Sequence, residues 1–493
     1  MPPFRRLGAV LFVLCLPLAA TAGEVTLSWR EGGLALSGEL LSHDDAHYRI
    51  ATRYGPLTIA AEAVDCAGAC PDLSVWVPEL QFIGSPALGR VVLPALAEAF
   101  AFRSGMRFER SLSDTGASVL VLADRTSGRV AARLTLSAAD GEAARAALEA
   151  GRADYVLAIG EPPDDGFTSR LIALDALVPV VSRANPLRQI GLADLRAVRA
   201  GEIVDWARLG APPGQIRLHA LGPPETAALA GRAPSVPVSW HAGPEALARA
   251  VAGDRFALGL GRLSRIGASE PLALAGPCGR RLVAGPATLK AEDWPLTLPL
   301  LVRGRPGRET AIATDFFDWT GSESASRVIA RTGLVAPRYA EVPIEAQGAR
   351  LANALLAAGD EVGLADLQAM LRRLEGARRL TTTFRFRPGG SGLDAQSAAN
   401  VAQLARAVGE GAFAGRTMLI AGYTDGAGPP GPNRRLALER AEAVRAALVA
   451  AIPEGALGPA RVEVAGFGEA LPMACDDTEW GRRVNRRVEV WLR

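Results

Sequence analysis

Apolar positions follow different periods in successive stretches of this 493-residue chain. From residue 23 to about 75 they recur at every second position, as in Val25-Thr26-Leu27-Ser28-Trp29, Tyr48-Arg49-Ile50-Ala51-Thr52 and Leu57-Thr58-Ile59. Such alternation turns one strand face inward and the other to water, which predicts a small all-β module in the form of a compact barrel. His43 and His47 flank Asp44-Asp45 there and read as solvated turn residues. From 79 to 338 short apolar runs alternate with amphipathic helical spacing, over a length that fits a two-lobed α/β domain. Residues 344–356 and 364–374 repeat with helical spacing, so 339–378 is expected to be a helical connector packed on the last domain. Residues 379–493 mix strands, such as Thr381 to Phe386 and the alternating Val488, Val490 and Leu492, with a helix carrying Ala437, Ala441, Val444 and Leu448 on one face. The chain is therefore expected to be a multidomain α/β protein ending in an α+β sandwich.

The amino terminus adds a compartment. Arg5-Arg6 precede an apolar run from Leu7 to Leu18, and Ala20-Thr21-Ala22 offers small residues for cleavage, so residues 1–22 read as a secretory signal peptide cut after Ala22. No later stretch is apolar for long enough to cross a bilayer as a helix. A formal net charge of +2 gives no case for a nucleic-acid partner. In an oxidising compartment Cys66 and Cys70 are expected to form a disulfide across a short loop. Cys278 and Cys475 fall in different predicted domains, and their state stays open. No metal site is expected in a chain with four histidines.

Candidate chemistry concentrates near the carboxyl end. Thr424 and Asp425 emerge from the apolar strand that ends at Tyr423, a Gly/Pro-rich loop follows, and Asn433 is expected as the N-cap of the next helix. Arg440 lies seven residues beyond Asn433, close to two turns, so the amide and the guanidinium share a stripe. A carboxylate and a guanidinium so placed suit a zwitterion, the Asp taking its ammonium and the Arg its carboxylate.

These residues, with Gly422-Tyr423, Leu436, Ala441, Val444, Gly466-Phe467-Gly468-Glu469, Gly481 and Asn485-Arg486-Arg487-Val488-Glu489, resemble the OmpA-like peptidoglycan-binding domain of OmpA, Pal and MotB proteins. The resemblance implies that Asp425 and Arg440 hold the meso-diaminopimelate of a cell-wall stem peptide, with Asn433 and Arg486 completing the pocket. The proline-rich loop 428–432 and Arg387 depart from the family pattern at the rim.

The middle region resembles phosphate-type periplasmic substrate-binding proteins of the PstS class. That resemblance rests on Gly84-Ser85, Ala150-Gly151-Arg152-Ala153-Asp154, Leu174 to Val178 with Asn185-Pro186, Gly201-Glu202-Ile203, Trp206, Phe316-Phe317 and Gly333-Leu334-Val335. Ser85, as N-cap before Pro86 at a helix start, is the one ligand contact the sequence supports. The second-lobe clamp departs from the family, because His219-Ala220-Leu221-Gly222-Pro223-Pro224-Glu225-Thr226 brings two prolines without amide donors and a negative charge.

The expected function is a periplasmic solute-binding protein held noncovalently on peptidoglycan, its middle domain taking phosphate or another small solute and serving an ABC transporter or an envelope protein. The alternative is a structural or assembly factor whose receptor-like domain binds a protein and no solute. No Gly-x-Ser-x-Gly elbow, His-Glu-x-x-His pair or phosphate loop appears, so neither an enzyme nor a cofactor is expected.

Overall fold

A computed structural model describes residues 24–44, 46–73, 76–160, 165–222, 236–276, 278–307, 309–359, 361–386, 392–452 and 461–493. The expected signal peptide over 1–22, residues 223–226 and Arg387 lie outside the described residues. Among those described, no helix is long and apolar enough to cross a membrane.

The first module is a five-stranded antiparallel sheet in the order Gly55–Ala60, His47–Thr52, Ala35–His43, Glu24–Trp29, Val64–Gly68. Three hairpin steps build a meander, and the last strand returns to pair with the first. The two outer strands share no ladder, so hydrogen bonds do not close the expected barrel. Its inward positions, Val25, Leu27, Tyr48, Ile50, Ile59 and Val64, form a separate small core. Such a core is thin, and a disulfide between Cys66 and Cys70, with Cα atoms 6.0 Å apart, fastens its last strand to the chain beyond.

One eleven-stranded sheet runs through the middle domain, and a single long strand, Thr168–Val181, belongs to both of its halves. Up to Ala176 this strand pairs with Thr297–Gly304; from Leu177 onward it pairs with Ala257–Arg262. The change of partner marks the border between the halves. Trp294 is buried at that border and donates its indole N–H to the Leu177 carbonyl at 2.9 Å. The long strand is buried on both faces from Ile172 to Val181, which explains why it is apolar there except for Asp175.

The carboxyl-terminal sheet has the order Glu341–Pro343, Arg378–Phe384, Arg487–Leu492, Thr417–Tyr423, Arg461–Gly466. Helices Ala395–Gly409 and Pro430–Ala451 cover one face, where Ala441, Val444 and Leu448 meet Ile420, Val488 and Val490. Helices Gly348–Leu356 and Leu364–Leu374 help cover the other, against Leu419, Ala421, Tyr423 and Trp491. The same stretch gives that sheet its edge strand Glu341–Pro343. Gly422 is required by close packing: a Cβ there would collide with the Ala437 carbonyl of the covering helix.

Beneath the second face lies a largely buried charge cluster. The Glu489 carboxylate meets Arg487 Nε at 2.7 Å, Arg350 Nη2 at 2.6 Å and Arg379 Nη2 at 3.3 Å, and accepts the Trp491 indole N–H at 3.1 Å. Burial alone would raise the Glu489 pKa, but Arg350, Arg379 and Arg487 overcome it and hold the carboxyl well below its usual range. Arg379 also reaches Asp293 of the middle domain at 3.5 Å, and Arg385 donates to Asp293 at 3.3 Å and to the carbonyls of Ala291 and Glu292. The last domain therefore docks beside Trp294, at the border between the two halves of the middle sheet. A second disulfide, Cys278–Cys475 with Cα atoms 5.8 Å apart, joins the same two domains covalently.

Candidate functional site

Asp425 follows the strand Thr417–Tyr423 and is only 9% exposed, because the strand ends beneath the segment 476–486. Its Oδ2 lies 2.7 Å from Arg486 Nη1, and the other Arg486 nitrogen, Nη2, is 2.7 Å from Glu479 Oε1. Burial works against the Arg486 charge, yet Glu479 and Asp425 outweigh it and raise the pKa. Glu479 and Arg486 are two turns apart along Glu479–Asn485 and its C-cap, which aligns them on one side.

Arg440, on the long helix Pro430–Ala451, faces the same region without joining that pair; no ion pair within 4.0 Å links it to Asp425. Burial and the neighbouring Arg486 lower its pKa, with Asp425 opposing. The guanidinium carbon lies 5.7 Å from the Phe386 ring centre, and Nη1 is buried with no hydrogen-bond partner. Thr424 is similar: its amide donates to the Gly468 carbonyl at 2.9 Å, while its buried Oγ1 has no partner. Asp425 is thus paired with Arg486, and Arg440 stands beside the pair.

Asn433 is not the N-cap. The helix begins at Pro430 with Pro429 in the cap position, since a proline lacks only an N–H that the first turn leaves unbonded anyway. Asn433 instead sits buried in the first turn and donates from Nδ2 to the carbonyls of Ala427 and Gly428, at 3.1 and 3.3 Å, and to Glu469 Oε1 at 2.5 Å. It fixes the Gly/Pro loop that carries the chain away from Asp425. Burial raises the pKa of Glu469, and the Asn433 bond opposes this.

Two supports escaped sequence reasoning. Asp476 accepts the Gly426 amide at 2.8 Å and the Asn485 side-chain N–H at 2.7 Å, so it holds the residues next to both Asp425 and Arg486. Asp476 lies in an irregular segment with no period to reveal it. Glu479 was readable in principle, from its two-turn spacing to Arg486.

The middle domain has a cleft of about 680 Å³ where its halves meet, lined by Ser85, Arg90, Asp175, Glu245, Arg262 and Arg265 among others. Ser85 lines it just before the helical turn that starts at Pro86, and its own amide donates to the Leu157 carbonyl at 2.8 Å. Asp175 and Arg262, 2% and 3% exposed, face each other at 3.7 Å. Asp175 also accepts the hydroxyl and amide of Ser264 at 2.6 and 3.1 Å. Arg265 pairs with Glu245 at 3.3 Å. His219 stacks on His241 with ring nitrogens 2.9 Å apart, and burial followed by this neighbour lowers its pKa.

With this geometry in view, the comparison with known proteins is specific for one region. Residues 385–486 match the OmpA family. The chain is 43% identical over 71 residues to outer membrane porin F of Pseudomonas fluorescens, which is 14% of this chain and 21% of that protein. It is 40% identical over 73 residues to the probable lipoprotein YiaD of Escherichia coli, 15% of this chain and 32% of that one. The chain thus spans about a fifth to a third of the length of these curated relatives. The region ahead of the OmpA segment resembles an ABC-type phosphate transport receptor from Vibrio cholerae, at 16% identity and a TM-score of 0.41, over 52% of this chain and all of that one.

Proposed function

We propose that this protein is a noncovalent peptidoglycan anchor of the periplasm, working by binding and not by catalysis. Its OmpA segment takes the diaminopimelate end of a stem peptide at Asp425, Arg440 and Arg486, with Asn433 setting the loop. The division behind this reading is a β module over 23–75, a receptor-like domain over 79–338 whose sheet halves act as lobes, a connector over 339–378 and the wall domain over 379–493. One observation carries the reading: beside the Asp425–Arg486 pair, Arg440 Nη1 and Thr424 Oγ1 keep hydrogen-bonding capacity that the protein does not use. Buried polar groups without partners are costly, and a ligand with a carboxylate and an ammonium would satisfy them. The test is co-sedimentation of the full chain with purified peptidoglycan. Wild type pellets and Arg440→Ala and Asp425→Ala do not; pelleting of both variants at wild-type levels rejects the site.

A second reading concerns the cleft. Four of its charges are engaged with one another, Arg262 with Asp175 and Arg265 with Glu245, and the further lining cation, Arg90, is exposed to water, which supports a domain with little use for a phosphate dianion. A neutral or zwitterionic small solute, or a protein partner on that domain, fits the pairing better. Calorimetry of the full chain with inorganic phosphate is expected to show no binding, and submicromolar affinity would restore the phosphate reading.

A further inference from the structure

The wall site is connected to the middle domain by a short path of covalent and hydrogen bonds. Cys278 lies between strands Ala273–Ala275 and Arg281–Leu282 of the middle domain and is bonded to Cys475. The next residue, Asp476, holds the Gly426 amide with one oxygen and the Asn485 side chain with the other. Gly426 follows Asp425, and Asn485 precedes Arg486. The same stretch is gripped from both sides. Arg280 of the middle domain donates to the Ala474 carbonyl at 3.1 Å, and Asn485 Oδ1 accepts the amides of Met473 and Ala474 at 2.7 and 3.1 Å.

We infer that the Cys278–Cys475 bridge is a positioning link. It fixes residues 474–476, Asp476 fixes the backbone beside Asp425 and Arg486, and the middle domain thereby sets the affinity of the wall site. No atom of the bridge need touch the ligand. A loosened Asp476 lets the Asp425–Arg486 pair drift, and a pair that must be re-formed on binding lowers affinity. This inference rests on the peptidoglycan reading of that pair.

The experiment is a double-mutant cycle on the full chain, with affinity for a soluble diaminopimelate-containing muropeptide measured by calorimetry. Cys278→Ser is expected to bind about fivefold more weakly or worse. Asp476→Ala weakens binding by itself, and the two changes together cost clearly less than the product of their separate effects, because they break one path. A general loss of stability would not give that shortfall. Reducing the bridge in a Cys66→Ser/Cys70→Ser background repeats the comparison without altering Cys278, so a poorly folded Cys278→Ser leaves the test intact. Unchanged affinity after the bridge is opened, or effects that multiply independently, overturns the inference while wild-type binding upholds the wall site. Absence of muropeptide binding by the wild type overturns both.

Discussion

The two polar regions of this molecule handle charge in opposite ways. In the middle-domain cleft, Asp175 meets Arg262 and two groups of Ser264, and Arg265 meets Glu245. At the proposed wall site Asp425 and Arg486 are paired, yet Arg440 Nη1 and Thr424 Oγ1 are buried without a hydrogen-bond partner. Internally matched charges leave little for a ligand to engage, whereas hydrogen-bonding atoms that the protein does not use can take one. A cleft and a pocket lined by similar residues can therefore differ in purpose.

Substitutions should separate the two most sharply by what they damage. Arg262→Ala would leave Asp175 buried without its cation and is expected to cost about 3–5 kcal/mol of stability, read by denaturant unfolding. Acid should act on the same kind of matched charge. The folded pKa of Glu489 is depressed below its ordinary 4.5, so its contribution is complete above that pH and is lost as pH falls toward the folded value. Glu489→Gln is expected to be less stable at neutral pH and to lose less on acidification, as circular dichroism across pH 2 to 7 would record. Arg440→Ala, in contrast, should leave the unfolding midpoint nearly unchanged while muropeptide affinity falls by about 1.5–3 kcal/mol, the range for a hydrogen bond to a charged group. A large stability loss in Arg440→Ala would place it with the cleft arginines and erase the distinction. The smallest effect expected is on the loop: Asn433→Ala removes an amide that holds it and should weaken muropeptide binding by about 1 kcal/mol.

Much of the architecture was legible because it follows simple periods. Ala437, Ala441, Val444 and Leu448 are all fully buried, as their spacing requires, and the alternating residues of Glu24–Trp29 and His47–Thr52 point into one core. What failed depended on competition or on distance. Asn433 and the prolines before it are both helix-start signals, and the proline prevailed. Ser85 precedes a helical turn at Pro86 as its sequence suggests, but the bond from its amide to the Leu157 carbonyl, 72 positions away, had no local signal. The Asp425–Arg486 pair joins residues separated by 61 positions, and the second disulfide joins cysteines separated by 197. No local period can announce such partners, since only the folded sheet brings them together.

Arg379 and Arg385 carry a practical lesson for dissecting the protein. Both are buried where the terminal sheet abuts Asp293 and the neighbouring carbonyls. A shortened clone beginning near residue 379 would strip away those acceptors, the Cys278 bridge and the two helices that roof Trp491. Weak wall adhesion by such a fragment would report a torn seam and not the worth of its pocket.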